Sequence, residues 1–415
     1  MKSVGILGAA LATASALGMV LLALIARWLT QDENAAFIAI WGVVFSGGSI
    51  LSVIEQETAR QVTVSEARKR PVPGSVAQLA LIALAGATLV LLCLSLLPLG
   101  QSVFGRSVWL VALTFVSLSG FGVQFMTRGI LLGRQETGRY AFVIIAEAAL
   151  RLVAIAILLA LDVTPSITAA VAAVALGSFG WVPVARSAFS GIDWTGSREP
   201  WRRAGHRIFI LAASNALLAP LMTGYPTLVS AIIGSSTGLA TFFSVVTISR
   251  VPLTLLSPVQ ALVVPMTTRA LLEGRGSVLR KLQLQLLAAI AAAAAVAAAG
   301  GWVLGPWAVQ FMFGPDYQAA RWLVAVLLGM TVIFAGALLQ VAVFISLERY
   351  HLIAATWGAA LLGASTAIWL TPGDATARGT AGFITASIIA YIASTIALRR
   401  ALAKSNPDPR ENPAA

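Results

Sequence analysis

Apolar runs of about twenty residues recur along the whole chain with short polar connections between them. A helix of that length crosses the roughly 30 Å hydrocarbon core of a bilayer, so each run predicts a membrane span. Twelve such runs fall near 4–26, 35–54, 76–99, 108–127, 141–161, 166–186, 208–233, 238–267, 283–305, 322–346, 352–371 and 380–398. The first follows Lys2 and reaches Ala26, as a secretory leader would, but its apolar region is too long for one and reads as a retained span. Composition agrees: 58% of the 415 residues are hydrophobic, 11% are charged, and the mean hydropathy is +0.88. Soluble domains do not reach these values. The chain reads as an all-α polytopic membrane protein with about twelve transmembrane helices.

The net charge of +12 could point to nucleic acid, but the basic residues sit in short clusters between apolar runs, where orientation in the membrane explains them. With the N-terminus inside, the inner connections hold Arg60, Arg68, Lys69 and Arg70, then Arg128, Arg134 and Arg139, and later the cluster from Arg186 to Arg207. Arg269 to Lys281, Arg349 and Arg399 to Arg410 complete that side. The outer connections hold Arg27, Arg106, Arg321 and Arg378. Both termini are therefore expected in the cytoplasm, with no nucleic-acid partner. Trp28, Trp109, Trp302, Trp307 and Trp369 lie near the outer ends of spans, as interfacial anchors do. Cys93, the one cysteine, lies inside a run and offers no disulfide or thiolate metal site. No Walker or dinucleotide glycine motif and no carboxylate–histidine cluster occurs, so no cofactor or metal is expected.

Polar residues inside the apolar runs are the candidates for function, because an arginine at the bilayer centre costs about 2.5–3.5 kcal/mol and needs protein or water around it. In the eighth run Ser244, Thr247, Arg250, Thr254 and Ser257 follow at steps of three or four and share one helical face. Pro252, Pro258 and Pro265 interrupt the backbone beside it. In the fifth run Glu147 and Arg151 stand at i, i+4, the better order for an ion pair, with either a structural or a coupling role. Arg27 ends the first run and is expected to snorkel outward. Glu55, Glu57 and Arg60 close the second run and read as solvated gate or loop residues. Asn215, Pro220, Gly224 and Pro226 mark the seventh as a helix that bends.

The longest inner connection, 187–206, divides the runs six and six, which predicts a lobe over 1–190, a cytoplasmic linker over 191–207, a second lobe over 208–402 and a disordered tail over 403–415. Weak internal similarity supports two repeats: RYAFVIIAEAALRL from Arg139 compares with RYHLIAATWGAALL from Arg349. Four stretches, ARWLTQDENAAFIAIWGVV, RGILLGRQETGRYA, TGLATFFSVVTISRVPL and FMFGPDYQAARWLVAVLLGM, then give the chain a family likeness. It resembles polysaccharide-type flippases of the multidrug/oligosaccharidyl-lipid/polysaccharide (MOP) exporter superfamily. The resemblance implies the MATE-like fold of that superfamily, two six-helix lobes that alternate access. It also implies a polyprenyl-linked glycan moved from the inner to the outer leaflet of a bacterial cell membrane, with polysaccharide polymerase and glycosyltransferases as neighbours.

Two other functions are compatible with the same residues. A MATE-like cation-coupled multidrug antiporter should carry acidic cavity residues, whereas the diphosphate of a glycolipid needs cations such as Arg250, Arg151 or Arg27. A membrane sugar polymerase or ligase needs a sizeable outer loop for its catalytic groups. The longest outer connection, near 305–320, is too short for that, and the chain is expected not to be an enzyme.

Overall fold

The apolar runs fold as helices in the computed structural model, which describes residues 2–194, 201–234, 236, 238–253, 276–346 and 349–404. In chain order these are α1 (Lys2–Trp28), α2 (Gln31–Leu51), α3 (Val53–Ala67), α4 (Ser75–Leu96), α5 (Pro98–Phe104), α6 (Val108–Gly133), α7 (Thr137–Ala160) and α8 (Ile167–Gly177). They continue with α9 (Ala185–Ala188), α10 (Trp201–Met222), α11 (Tyr225–Ile233), α12 (Leu239–Ser249), α13 (Gly276–Phe313), α14 (Arg321–Ser346), α15 (Tyr350–Leu370) and α16 (Ala375–Lys404). Two short strands, β1 (Val72–Pro73) and β2 (Ile192–Asp193), pair in parallel and tie the α3–α4 connection to the segment after α9.

Among the described residues, ten helices are long and apolar enough to cross a membrane. The seventh expected span is present as a bent pair, Asn215–Met222 and Tyr225–Ile233, at 81° to each other. Pro220 lies inside α10 and Pro226 opens α11 with Gly224 between them, so the bend falls where the freed backbone and the missing Cβ allow it. The eighth span is described as far as Leu253. Thr254, Ser257, Pro258 and Pro265 lie outside the described residues, as do parts of the expected linker (195–200) and tail (405–415).

The chain divides into two compact units, one of Met1–Ala240 with Met312–Gly314 and one of Thr241–Phe311 with Pro315–Ala415. In the first, α2 and α3 form one nearly continuous run of 37 residues, Gln31–Ala67. Its start is set by a capping box, in which Thr30 and Glu33 satisfy each other's backbone N–H groups. A small residue sets how closely α3 lies on α6: a Cβ on Gly129 would stand 2.7 Å from both the Glu55 carbonyl oxygen and the Thr58 Cβ. At the end of α6, Arg134 donates to the carbonyls of Ala188 (2.9 Å) and Ser190 (2.7 Å), fastening α6 to the segment after α9. The bent pair α10–α11 packs on α2, with Asn215 Nδ2 donating to the Ser49 carbonyl (3.1 Å) and Thr227 Oγ1 to the Ala39 carbonyl (2.5 Å). Leu81, Leu89 and Leu96 of α4 are exposed, apolar surface of the kind a bilayer covers.

In the second unit α14, α15 and α16 pack around Trp357, which is fully buried with its ring 5.3 Å from that of Phe334. The alanine run of α13 packs through Ile290, Ala294 and Ala297, and Gly301 lies close against Ala325 of α14, while most of its other alanines are exposed.

The charge distribution sets an expected topology. Reporter fusions after Arg70, Arg203 and Arg400 should read cytoplasmic, and fusions within 101–106 and 373–378 external. An external signal after Arg203 would overturn this orientation.

Candidate functional site

Three helices of the first unit, α2, α6 and α7, each turn one face toward a common point. On α6, Phe121, Gln124, Phe125 and Arg128 recur at helical spacing, on α2 Trp41, Phe45 and Ser49 do, and on α7 Tyr140, Glu147 and Arg151 do. Two ion pairs form there. The Arg151 guanidinium donates through Nη2 to Glu147, whose other oxygen accepts from Gln124 Nε2. Both carboxylate oxygens are thereby engaged. Arg151 is also boxed by aromatic faces, with Trp41, Phe45 and Phe121 ring centres 5.7, 5.0 and 5.5 Å from its guanidinium carbon. Its stem lies against Gly177 of α8, where any Cβ would collide with it. The i, i+4 pairing expected from the spacing is thus present and built into three neighbouring helices.

The second pair departs from expectation. Glu55 and Glu57 are buried, 9% and 4% exposed, rather than solvated, because α3 continues the α2 run as a helix and carries them against α6. Arg128, placed by the charge pattern in an inner connection, lies inside α6 with its side chain 15% exposed. Arg128 Nη2 stands 3.0 Å from Glu55 Oε2 and donates at 2.9 Å to the Tyr140 hydroxyl, which in turn donates to Glu55 Oε1 at 2.6 Å. Phe125 and Tyr140 rings flank the guanidinium at 5.2 and 5.0 Å. Glu57 is held by Arg60 (Nε 2.9 Å, Nη2 2.6 Å), and of the three boundary residues Arg60 alone keeps its side chain largely in the open.

A cavity of about 330 Å³ lies between the two pairs. Arg128 and Glu147 supply its charges, Phe45, Phe121 and Phe125 its aromatic wall, and Ser49, Ser52, Gln56 and Asn215 its neutral polar groups. Asn215, singled out at a bend, is thus brought to the site, as is Glu147. Several buried polar atoms around it have no hydrogen-bond partner, namely Arg128 Nε, Arg151 Nε and Gln124 Oε1. Of these residues Arg128 lines the cavity, and its guanidinium is therefore the group with unused donor capacity nearest to a polar ligand there. On the opposite side of the α2–α10 contact lies a larger groove of about 760 Å³. Its walls are almost wholly apolar, including Ile50, Leu51, Leu91, Val103 and Ile208, with Leu89 and Phe209 exposed at its edge.

The other sequence candidates fall elsewhere. Arg27 is exposed in the last turn of α1, in keeping with snorkelling. Arg250 is half-buried in the second unit at the turn that follows α12, where its N–H donates to the Thr247 carbonyl (3.3 Å). Thr247 and Ser244 of the same face are buried, and the Thr247 hydroxyl donates back to the Phe243 carbonyl (2.8 Å). Among the described residues no group of three His, Cys, Asp or Glu is placed to hold a metal ion. Sequence reasoning missed the Glu55–Arg128–Tyr140 cluster. The available signal was Arg128 itself, which continues the helical face of Phe121 and Phe125 within an otherwise apolar stretch.

No family model matches the chain. The uncharacterized protein Rv1510 of Mycobacterium tuberculosis H37Rv is 29% identical over 394 residues, which cover 89% of this chain and 85% of that one. The uncharacterized protein Rv3630 of the same strain is 27% identical over 395 residues with the same coverage. Among solved structures, a multidrug resistance MATE family transporter of the MOP superfamily, in its inward-facing conformation, superposes with a TM-score of 0.71. It is 16% identical, over 96% of each chain. A MOP superfamily transporter from Pyrococcus furiosus, described as having a binding pocket of reverse polarity that suggests a different function, superposes with a TM-score of 0.61 at 16% identity. That match covers 98% of this chain and 97% of the other. The chain therefore has the fold of the MATE transporters of the MOP superfamily.

Proposed function

We propose that this protein is a membrane transporter that moves a lipid-linked oligosaccharide, carried on a polyprenyl diphosphate, from the cytoplasmic to the outer leaflet by alternating access. The glycan then serves cell-surface polysaccharide assembly, with glycosyltransferases before this step and a polymerase after it. The reading places the chain in a bacterial inner membrane with both termini cytoplasmic. The observation that carries it is the juxtaposition of two unlike spaces on either side of the α2–α10 contact, a charged aromatic cavity and an apolar groove. Such a substrate has two unlike parts. Its diphosphate needs arginine, whose planar fork binds oxyanions through paired hydrogen bonds, and its sugars need aromatic faces beside neutral polar groups. Its isoprenoid chain needs a groove from which water and charge are absent.

Arg128 supplies the cation in the first unit, and Arg250, with Thr247 and Thr254 on the same helical face by their spacing in the sequence, is the candidate cation of the second unit. Arg151 holds Glu147 in place, and Arg27 is left at the membrane surface. The fold does not choose the substrate, since a MOP transporter with this architecture has a pocket described as reversed in polarity. The side chains must choose it.

The second reading, a cation-coupled multidrug antiporter, is favoured by one observation: Glu55 and Glu147 are carboxylates enclosed between the apolar helices of the first unit. Each is neutralised by an arginine of its own, which argues against a free cation site. Deleting the gene separates the two. The glycolipid reading expects loss of surface polysaccharide with lipid-linked intermediates retained inside and unchanged sensitivity to cationic dyes. Heightened dye sensitivity with intact polysaccharide would favour the antiporter.

A further inference from the structure

Arg128 is the cation that lines the cavity, yet it is already occupied. Glu55 reaches it from α3, and Tyr140 from α7 both accepts from the guanidinium and donates to the carboxylate. The hold is incomplete, because it runs through Nη2 while the buried Nε has no partner. A guanidinium presents five donors in a fixed fork, and an oxyanion with several lone pairs satisfies more of them than this arrangement does. Glu147, the carboxylate that lines the cavity itself, is not in the same position as Glu55, which stands behind Arg128, because Arg151 and Gln124 take up both its oxygens.

We infer that Glu55, held by Tyr140, is a displaceable internal anion that occupies Arg128 when the cavity is empty and competes with the diphosphate of the substrate for it. The inference rests on the proposed glycolipid reading and names the residue that sets its specificity. Competition with a built-in carboxylate discriminates by charge. A ligand with one weak acceptor does not recover the cost of leaving Glu55 buried without its cation, whereas a diphosphate, with more charge and more oxygens, does. It also provides a route to release, since the returning carboxylate reclaims the arginine. Glu55 is on this account a positioning residue. It never has to touch the substrate, and it determines how tightly Arg128 can.

The test is direct binding to the purified full-length chain in nanodiscs of phosphatidylcholine, which supply no competing anionic lipid. Two probes separate the sources of the shared chemistry: inorganic diphosphate reports the oxyanion alone, and farnesyl diphosphate adds an isoprenoid tail. Glu55→Gln keeps the shape and an acceptor oxygen but removes the competing charge. It should tighten both probes by about tenfold or more, whereas a merely structural role for Glu55 would weaken binding or leave it unchanged. Tyr140→Phe, which leaves the charges in place and loosens Glu55, should tighten binding less and in the same direction. It carries the test should Glu55→Gln fail to fold. Arg128→Gln should abolish binding in either background. Binding that requires Arg128 but is not tightened by Glu55→Gln or Tyr140→Phe would overturn the inference alone. No diphosphate binding by any folded form would overturn the proposed function with it.

Discussion

Arg128→Gln is expected to reduce glycolipid transport to background while the protein still inserts. Hydrogen bonds to charged groups contribute about 1.5–3 kcal/mol each, so each bond lost to the diphosphate weakens binding by roughly 10–100-fold. Arg128→Lys keeps the charge but loses the fork and should restore transport only in part. Arg128→Gln also leaves Glu55 buried without its cation, which by itself would lower abundance. The double variant Glu55→Gln with Arg128→Gln separates the two effects. It replaces the ion pair with a neutral, hydrogen-bonding pair and should recover abundance without recovering transport. Recovery of both would make Arg128 a structural residue. Arg250→Ala, measured in the same cells, tests the candidate cation of the second unit, and full export by a normally abundant protein would rule out a role for Arg250 in substrate binding.

The second large effect is at Glu147 and Arg151. Their side chains are 13% and 5% exposed, and the arginine sits within three aromatic rings and against Gly177. Losing one partner of a buried pair typically costs about 3–5 kcal/mol, because the remaining charge is largely desolvated and has lost its counter-ion. Arg151→Met or Glu147→Gln alone should therefore reduce folded protein sharply, and the double variant should be less damaging than either single. A double-mutant cycle on thermal stability in detergent measures this as a coupling energy. Additive effects would mean that the two side chains do not support each other.

The features legible in the sequence were those that reside within one helix. Hydrophobic runs announced the membrane helices, the spacing of Glu147 and Arg151 announced their pairing, and Pro220, Gly224 and Pro226 announced the bend of the seventh span. The Glu55–Arg128–Tyr140 cluster was not legible. Glu55 meets Arg128 and Tyr140 across 73 and 85 residues of chain, and nothing local in an acidic residue near the end of an apolar run distinguishes a solvated boundary from a buried one. What buries Glu55 is the continuation of α2 into α3 and the close approach allowed by Gly129, both of which are tertiary facts. The basic residues misled for a related reason. A rule that counts arginines between spans assigns Arg128 to orientation, although its helix carries it inward beside Phe121 and Phe125. Arg250 drew attention because it stands alone in an apolar run, and that signal does not reveal which side chains gather into a cavity.

Transport of a polyprenyl-linked glycan by this chain is measured most directly in a leaflet assay. Purified protein is reconstituted into phosphatidylcholine vesicles with a fluorescent oligosaccharide on polyprenyl diphosphate, and a membrane-impermeant quencher reports the fraction in the outer leaflet over time. Vesicles with the wild-type chain should expose to the quencher a second population that protein-free vesicles keep protected, and Arg128→Gln vesicles should behave like protein-free ones. A wild-type chain that leaves the glycolipid where it started while exchanging an organic cation for protons in the same vesicles would contradict the account.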